Sequence, residues 1–335
     1  MKLGLIGAGR IGAVHGRTIA SRIPGARIVR VVDPREDAAR ALARELGIPD
    51  AGRDAAAVFE DPAVDAVLIC SSTDVHPAQV IAAARAGKHI FCEKPVDLDL
   101  HGLDAVLGVV RRAGVKLQVG FNRRFDPDFA HMRGVVATGG IGAPEILRIT
   151  SRDPAPPPAE YVAVSGGMFL DMTVHDLDMA RFLMGDEVAE LHVTAAVLVD
   201  PAIGAAGDVD TAILSLRFAR GAVGAIDNSR RAAYGYDQRA EVLGSTGMVA
   251  NRNHGAHGVT AADESGFHRP LPYDFFMTRY LASYEAEIPA FADAVIGDTP
   301  PPVAGEDARH ALVLGLAAKR SVATGESVRI DSIDS

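Results

Sequence analysis

The stretch LGLIGAGRIG, residues 3–12, decides the fold class of this chain. Its first four residues are typical of a buried strand, and the composition from Arg10 to Ser21 is typical of a helix. Between them, the run GAGRIG fits the G-x-G-x-x-G spacing of strand–turn–helix units that bind dinucleotides. Short apolar runs and helical stretches go on alternating to about residue 121, which predicts a parallel sheet covered by helices on both faces.

Each glycine of this run has a separate expected role. Gly7 permits the tight turn, Gly9 lets the backbone approach a pyrophosphate, and Gly12 lets the helix and the strand pack closely. The first N–H groups of the helix are unpaired and carry a partial positive charge, which favours bound phosphate. Arg10 and Ile11 lie in the same turn, and we expect them to contact the cofactor as well.

An acidic residue at the end of the second predicted strand points to the cofactor's identity. Asp33 follows Gly12 by 21 residues, where a carboxylate accepts hydrogen bonds from the ribose hydroxyls. Its charge would repel a 2′-phosphate, which favours NAD over NADP. Arg35 lies two residues further on and would attract such a phosphate, so use of both cofactors stays open.

Length, charge and cysteine content exclude several classes of protein. The chain has 335 residues, which favours two domains at about 150 residues each. With 34 Lys and Arg against 43 Asp and Glu, it is a poor candidate for binding nucleic acid or an anionic membrane. No apolar run approaches the roughly 20 residues that span a bilayer, and the N-terminus lacks the apolar segment of a secretion signal. We therefore expect a cytoplasmic protein in which Cys70 and Cys92 are reduced, buried thiols, with a single disulfide between them as the alternative.

The pattern of the chain changes near residue 121. Beyond it, alternating runs such as Leu191 to Val199 and Ala212 to Phe218 are joined by turns, which predicts antiparallel strands. One strong helix is predicted from about Met168 to Met184. The expected domains are therefore a cofactor-binding domain at residues 1–121 and a second α/β domain at residues 122–335.

Two constellations carry the residue types that alcohol oxidation needs. Glu93-Lys94-Pro95 follows a strand of the parallel half, and ligands of such sheets bind beyond the carboxyl ends of the strands, so Lys94 is expected to face the nicotinamide. Asp171, His175 and Asp178 are spaced by four and three residues, which places them on one helical face. This row is either a metal site or a proton-transfer unit in which a carboxylate orients the imidazole.

The motifs together resemble the glucose-fructose oxidoreductase/inositol dehydrogenase (Gfo/Idh/MocA) superfamily over essentially the whole chain. The resemblance rests on GAGRIG, the run from Cys70 to His76, Glu93-Lys94-Pro95 and the helix of Asp171 and His175. It is sharpest, and most similar to the bacterial inositol 2-dehydrogenase branch, in three runs: FNRRFD at 121–126, SRDP at 151–154 and SGGMFLDM at 165–172.

The resemblance implies a Rossmann domain with a parallel sheet, followed by an α/β domain whose large, mostly antiparallel open sheet packs against a partner subunit in a homotetramer. It implies a catalytic triad in which His175 accepts the alcohol proton, Lys94 polarises the reacting oxygen and Asp171 supports both. It also implies that the Lys94–Pro95 peptide bond is cis and that no metal is needed. Expected contacts to the other substrate hydroxyls are Arg124, Asp153, Asp178 and Tyr236. Expected residues of the cofactor cleft are Ser71, Thr73, His76 and Glu93.

The expected activity is NAD-dependent oxidation of myo-inositol to 2-keto-myo-inositol (scyllo-inosose). Two alternatives stay open: another cyclitol or sugar as substrate, such as scyllo-inositol, D-chiro-inositol or glucose, and a regulator that senses the nucleotide without catalysis. Ser72 and Thr73 stand where relatives often have Pro and Asn, and Ser151 and Asp153 stand where some inositol enzymes have His and Asn. These departures touch the substrate contacts more than the reaction.

Overall fold

The structure, a computed structural model, describes residues 1–333 and divides into two compact units. Unit 1 comprises residues 1–125 and 282–310, and unit 2 comprises residues 126–281 and 311 onward. In the described part of the chain, no helix is both long and apolar enough to cross a membrane.

The strands are β1 (Lys2–Ile6), β2 (Arg27–Val32), β3 (Asp50–Gly52), β4 (Ala66–Ile69), β5 (His89–Cys92), β6 (Leu117–Val119), β7 (Pro144–Arg152), β8 (Val188–Ala196), β9 (Thr211–Phe218), β10 (Val223–Ser229), β11 (Asp237–Gly244), β12 (Gly247–Ala250), β13 (Ala261–Asp263), β14 (Gly266–His268) and β15 (Val328–Arg329). The α-helices are α1 (Arg10–Arg22), α2 (Glu36–Leu46), α3 (Ala56–Phe59), α4 (His76–Arg85), α5 (Leu100–Ala113), α6 (Pro127–Ala137), α7 (Ala159–Ser165), α8 (Met168–Asp171), α9 (Thr173–Met184), α10 (Pro201–Ala205), α11 (Phe276–Arg279), α12 (Leu281–Ile296) and α13 (Gly305–Thr324). Short 3-10 helices cover Thr73–Val75, Asn122–Phe125 and Ile330–Ser332.

Unit 1 is built on a parallel sheet with the strand order β3-β2-β1-β4-β5-β6. Its central strands are buried on both faces, and every residue of β4 is buried. Such strands read as continuous apolar runs because helices cover both sides of the sheet. The predicted N-terminal Rossmann domain with a parallel sheet is therefore confirmed.

Helix α12 contributes to the core of unit 1 although it lies far along the chain. Ile288 and Phe291 are fully buried in the same apolar cluster as Leu3, Leu5 and Phe91. Residues 282–310 consequently belong to unit 1, whereas the sequence boundary near residue 121 assigns them to the second domain.

Unit 2 is built on a mixed sheet with the strand order β12-β11-β7-β10-β9-β8-β15. Strands β7 and β10 pair in parallel, and the other neighbours pair antiparallel. Along β9, alternate side chains from Ala212 to Phe218 are buried, while Ile213 between them is 50% exposed. This period of two marks a sheet with one face toward the core and one toward solvent, and it confirms the predicted large, mostly antiparallel open sheet.

The helix predicted from Met168 to Met184 is wrong as one element, because the structure breaks it at Met172 into α8 and α9. Each piece has its own polar anchor. The carboxylate of Asp208 accepts a hydrogen bond from the Met168 N–H at 2.8 Å, at the start of α8. The Thr173 hydroxyl donates to Asn228 Oδ1 on β10 at 2.7 Å, which fixes the start of α9.

Candidate active site

The glycine turn of unit 1 has the tight geometry that its sequence predicts. Gly7 has a φ of +99°, and a Cβ atom there would lie 2.4 Å from the backbone oxygen of Cys70. A Cβ atom at Gly12 would lie 2.0 Å from the backbone oxygen of Gly7. Both positions therefore accept only glycine without a shift of the backbone.

The start of helix α1 is open in the way a phosphate site requires. A Cβ atom at Gly9 would meet no heavy atom within 4 Å, and among the described residues no side chain caps the helix at this point. Arg10 and Ile11 follow as the first residues of α1. Uncapped N–H groups at a helix start, next to open space, form an anion site.

Asp33 lies at the end of β2, where its carboxylate is held by the backbone. Asp33 Oδ2 accepts a hydrogen bond from the Ala8 N–H at 2.8 Å, and Oδ1 accepts one from the Arg35 N–H at 2.8 Å. The Arg35 side chain is 72% exposed, and its Nε lies 3.8 Å from Asp33 Oδ1. With the open turn at Gly9, this fixed carboxylate gives unit 1 the residues that fit NAD.

The loop after β4 is tied to the turn that carries Lys94. His76 is 1% exposed, with Nδ1 2.8 Å from the backbone oxygen of Pro95 and Nε2 3.1 Å from that of Ser71. The Ser71 hydroxyl donates to Gln79 Oε1 at 2.6 Å, and Thr73 begins the 3-10 helix of this loop. His76 is therefore buried and links two loops, and its expected place along the cofactor cleft stays a prediction.

Lys94 follows β5 directly, after Glu93, and both side chains are half-buried. The Lys94–Pro95 peptide bond is cis, as expected. Arg124 also belongs to unit 1, where its guanidinium Nη2 donates to Asp307 Oδ1 at 2.9 Å. This ion pair joins the 3-10 helix of Asn122–Phe125 to the first turn of α13.

The other predicted catalytic and substrate residues all belong to unit 2. Asp171 ends α8, and His175 lies in the first turn of α9 and is half-buried. Asp178, further along α9, is 1% exposed. Tyr236 is buried, and its ring meets that of Tyr280 edge-on with centroids 6.0 Å apart.

Two residues that the sequence did not single out hold Asp171. The Tyr161 hydroxyl donates to Asp171 Oδ1 at 3.0 Å. The buried guanidinium of Arg230 donates to Asp171 Oδ2 at 3.3 Å and to Asp153 Oδ2 at 3.2 Å. Partial burial and the Asp171 carboxylate raise the pKa of Tyr161, which keeps the phenol protonated as a donor. The sequence signal that could have pointed to Arg230 is the run NSRR at residues 228–231, at the end of β10 and next to β7.

A further polar network fixes α9 against the sheet. Asn228 Nδ2 donates to Asp176 Oδ2 at 2.9 Å and to the backbone oxygen of Ser151 at 3.3 Å. Asp176 and Asn228 are fully buried, where an unsatisfied polar group would be costly. The network therefore sets the position of the helix that carries His175.

The whole of this chain resembles known oxidoreductases. The profile of the oxidoreductase family with an NAD-binding Rossmann fold matches residues 1–121, and that of the GFO/IDH/MocA C-terminal domain matches residues 129–250. A myo-inositol 2-dehydrogenase of Thermotoga maritima is 49% identical over 333 residues, 99% of each chain. An inositol 2-dehydrogenase of Rhizobium meliloti is 47% identical and covers 98% of this chain and 99% of its own.

A solved structure supplies a ligand-bound relative. A myo-inositol dehydrogenase of Lactobacillus casei in complex with NAD(H) and myo-inositol superposes with a TM-score of 0.87 at 28% sequence identity. The match covers 98% of this chain and 96% of that one.

Proposed function

Because this chain belongs to the GFO/IDH/MocA oxidoreductase family, we propose that it oxidises myo-inositol to 2-keto-myo-inositol with NAD. The family resemblance seen in the sequence is thereby confirmed. The observation that carries the proposal is the 49% identity, over 99% of both chains, to a myo-inositol 2-dehydrogenase. Unit 1 acts as the NAD-binding domain and unit 2 as the substrate-binding domain.

The cofactor side of the proposal rests on unit 1. Bound NAD supplies the acceptor for the hydride that leaves the alcohol carbon. Gly7, Gly9 and Gly12 shape the turn that receives the pyrophosphate at the start of α1. Asp33 accepts the ribose hydroxyls and disfavours a 2′-phosphate. His76 is a positioning residue, because it joins the Ser71 loop to the turn after Lys94.

Proton transfer is assigned to three residues. Oxidation of an alcohol releases a proton from the hydroxyl as the hydride leaves the carbon, so the site needs a base. His175 accepts that proton, and the Lys94 ammonium stabilises the charge developing on the oxygen. Asp171 supports both groups and is itself held by Tyr161 and Arg230.

Recognition of the remaining ring hydroxyls is assigned to Arg124, Asp153, Asp178 and Tyr236. A cyclitol presents several hydroxyls at fixed angles, and a site built to pair with each of them rejects an isomer that leaves one group unpaired. Asp153 is pre-oriented by its ion pair with Arg230. Asp153 stands where some inositol enzymes have Asn, which makes it the first candidate for a difference in isomer preference.

Assembly and location belong to the same proposal. Hydrophobic side chains with 36–52% exposure, Ile146, Ile213, Val223 and Met248, lie on strands of the unit 2 sheet. Apolar residues on a solvent-facing sheet favour association, which supports a homotetramer built through this sheet. A cytoplasmic location agrees with two buried free thiols and the need for an NAD pool. Analytical ultracentrifugation tests the assembly: a monomer at micromolar concentration would contradict it.

The test of the activity is steady-state NAD reduction by the purified protein with a panel of substrates. The panel contains myo-, scyllo- and D-chiro-inositol, glucose, galactose and xylose, with NADP run in parallel. We expect the highest kcat/KM with myo-inositol and NAD. A higher kcat/KM with another member of the panel would change the proposed substrate but not the proposed reaction. No turnover with any member, together with tight NAD binding, would favour a nucleotide-sensing regulator.

A further inference from the structure

Three ionisable side chains meet in the interior of unit 1, and of these only Glu93 is among the expected residues of the cofactor cleft. They are His15 on α1, Glu93 at the end of β5 and Glu287 on α12. His15 and Glu287 are fully buried, and the Glu93 side chain is 13% exposed. His15 Nε2 lies 2.7 Å from Glu93 Oε1 and 3.7 Å from Glu287 Oε1.

The surroundings of Glu287 offer its carboxyl group little compensation. Within residues 1–333, neither carboxyl oxygen of Glu287 has a hydrogen-bond partner. The rings of Phe91 and Tyr284 meet the His15 ring edge-on, with centroids 5.1 Å and 5.9 Å away. Glu93 also faces this interior, and its carboxylate disfavours a second negative charge on Glu287. The Cys70 thiol is buried here as well, and burial together with the nearby carboxylates raises its pKa.

Glu93 is enclosed tightly on its other side. A Cβ atom at Gly120 would lie 2.9 Å from Glu93 Oε2, so only glycine fits there without a shift. The Glu93 N–H donates to the backbone oxygen of Ile69 at 2.9 Å, which continues the ladder of the sheet to this residue. Glu93 is thus held by the sheet through its backbone and by the buried cluster through its carboxylate.

An ionised Glu287 would place a second buried carboxylate beside Glu93, without hydrogen bonds to offset its desolvation. A protonated Glu287 avoids that charge and leaves one His15–Glu93 pair. Burial and the Glu93 carboxylate raise the pKa of Glu287 well above its usual value, in agreement with this picture.

We propose that Glu287 is retained as an uncharged carboxylic acid and that, together with His15, it is a positioning residue for Glu93. This inference rests on the proposed roles of Glu93 and Lys94 beside the cofactor. Lys94 follows Glu93 directly in the chain. A displacement of Glu93 therefore also displaces the backbone of Lys94. The buried cluster therefore sets the geometry of the turn that presents Lys94.

The same side chains are of the types that bind divalent cations, but the short contact favours a shared proton. Ligand atoms bound about 2.1 Å from one cation stand roughly 3 Å or more apart. The separation of 2.7 Å between His15 Nε2 and Glu93 Oε1 is that of a direct hydrogen bond. A metal analysis of the purified protein is part of the test for this reason.

The first experiment measures the unfolding equilibrium of the cofactor-free protein between pH 5 and pH 7. A group whose pKa is raised by folding stabilises the protein fully at low pH, and this contribution is lost as the pH rises toward the folded-state pKa. One such proton changes the unfolding equilibrium constant by up to tenfold per pH unit. We compare the two proteins by the ratio of their unfolding equilibrium constants, wild type over Glu287→Gln. We expect this ratio to rise at least tenfold from pH 5 to pH 7.

The matched control is Glu285→Gln, on the same helix. Glu285 is partly exposed and forms a surface ion pair with Arg22 at 2.9 Å. We expect this variant to keep the pH dependence of the wild type. A Glu287→Gln variant that also keeps it would overturn the proposal, and so would one metal ion bound per chain.

The second experiment measures the Kd for NAD by isothermal titration calorimetry, together with kcat. Glu287→Gln is neutral and similar in shape, so both values are expected within twofold of the wild type. Glu287→Ala leaves a cavity beside His15, and we expect its Kd for NAD to rise at least fivefold. An equal loss in the Gln and Ala variants would overturn the proposal, because it would show that the ionised form is needed.

These readouts separate the inference from the proposed function. If no polyol is oxidised but the pH dependence follows Glu287 as expected, only the proposed function fails. If inositol is oxidised and Glu287→Gln behaves like Glu285→Gln, only the inference fails. Should Glu287→Ala not fold, the comparison of Glu287→Gln with the wild type still decides.

Discussion

Arg230 and Asp171 form a buried ion pair in which Nη2 of the arginine lies 3.3 Å from Oδ2 of the aspartate. The second amino nitrogen of the same guanidinium lies 3.2 Å from Asp153 Oδ2. One planar cation therefore joins a proposed catalytic carboxylate to a proposed substrate-binding carboxylate. An ammonium group does not reproduce this geometry, because it lacks the fixed fork of donors.

We expect Arg230→Met to lower kcat at least tenfold and the free energy of unfolding by roughly 2–4 kcal/mol, because it leaves two carboxylates without their cation. Arg230→Lys should fall between this variant and the wild type. The measurements are steady-state kinetics and urea denaturation. The control is Arg231→Met, whose exposed side chain donates to the Leu198 backbone oxygen at 3.3 Å. Equal kcat values for the two methionine variants would contradict the role of Arg230.

Tyr161→Phe removes one hydrogen bond to Asp171 and leaves the ring in place. A single hydrogen bond of this kind is worth about 1 kcal/mol, so we expect kcat to fall about fivefold. Because the pKa of Tyr161 is raised, its phenol stays protonated over the alkaline range, and the alkaline limb of the pH–kcat profile should not move in the variant. Tyr234→Phe is the matched control, since its hydroxyl donates to Asp237 at 2.6 Å in a separate network.

Lys94→Ala tests the proposed electrostatic role of the lysine. Loss of a cation that stabilises developing negative charge typically lowers kcat by about 10² to 10³, and we expect a loss in that range. The Kd for NAD should stay within about threefold, because the pyrophosphate turn is unchanged. Lys116→Ala serves as control, since Lys116 pairs with the exposed Asp298 at 2.9 Å. A Lys94→Ala enzyme with the kcat of the wild type would exclude the mechanism.

Asp33→Asn tests cofactor choice. The amide keeps an oxygen that accepts an N–H from Ala8 or Arg35, but it removes the charge that would repel a 2′-phosphate. We expect the ratio of kcat/KM for NAD to that for NADP to fall at least tenfold. Asp37→Asn, in the exposed first turn of α2, should leave the ratio unchanged. An unchanged ratio in Asp33→Asn would assign the discrimination to another residue.

The cofactor half of the fold was predictable because its signals are local. The strand, the glycine turn and the helix from Leu3 to Arg22 are continuous in sequence, and Gly7 and Gly12 are required by contacts within that unit and the adjacent strand. Asp33 directly follows the next strand, so its position follows from the order of the elements. The family motifs extended this prediction to Lys94, Asp171 and His175, whose roles in this chain stay predictions.

The tertiary structure decided what depends on residues far apart in the chain. Arg230 contacts Asp171 over a separation of 59 positions in the sequence. Glu287 lies near Glu93 because α12 packs into the core of unit 1. Sequence pattern alone did not assign helix α12 to the core of unit 1. It also predicted one helix where separate anchors at Asp208 and Asn228 make two. Sequence pattern thus determined local conformation and motif chemistry. The partner of each buried charge was set by packing, because packing depends on long-range contacts that periodicity does not encode.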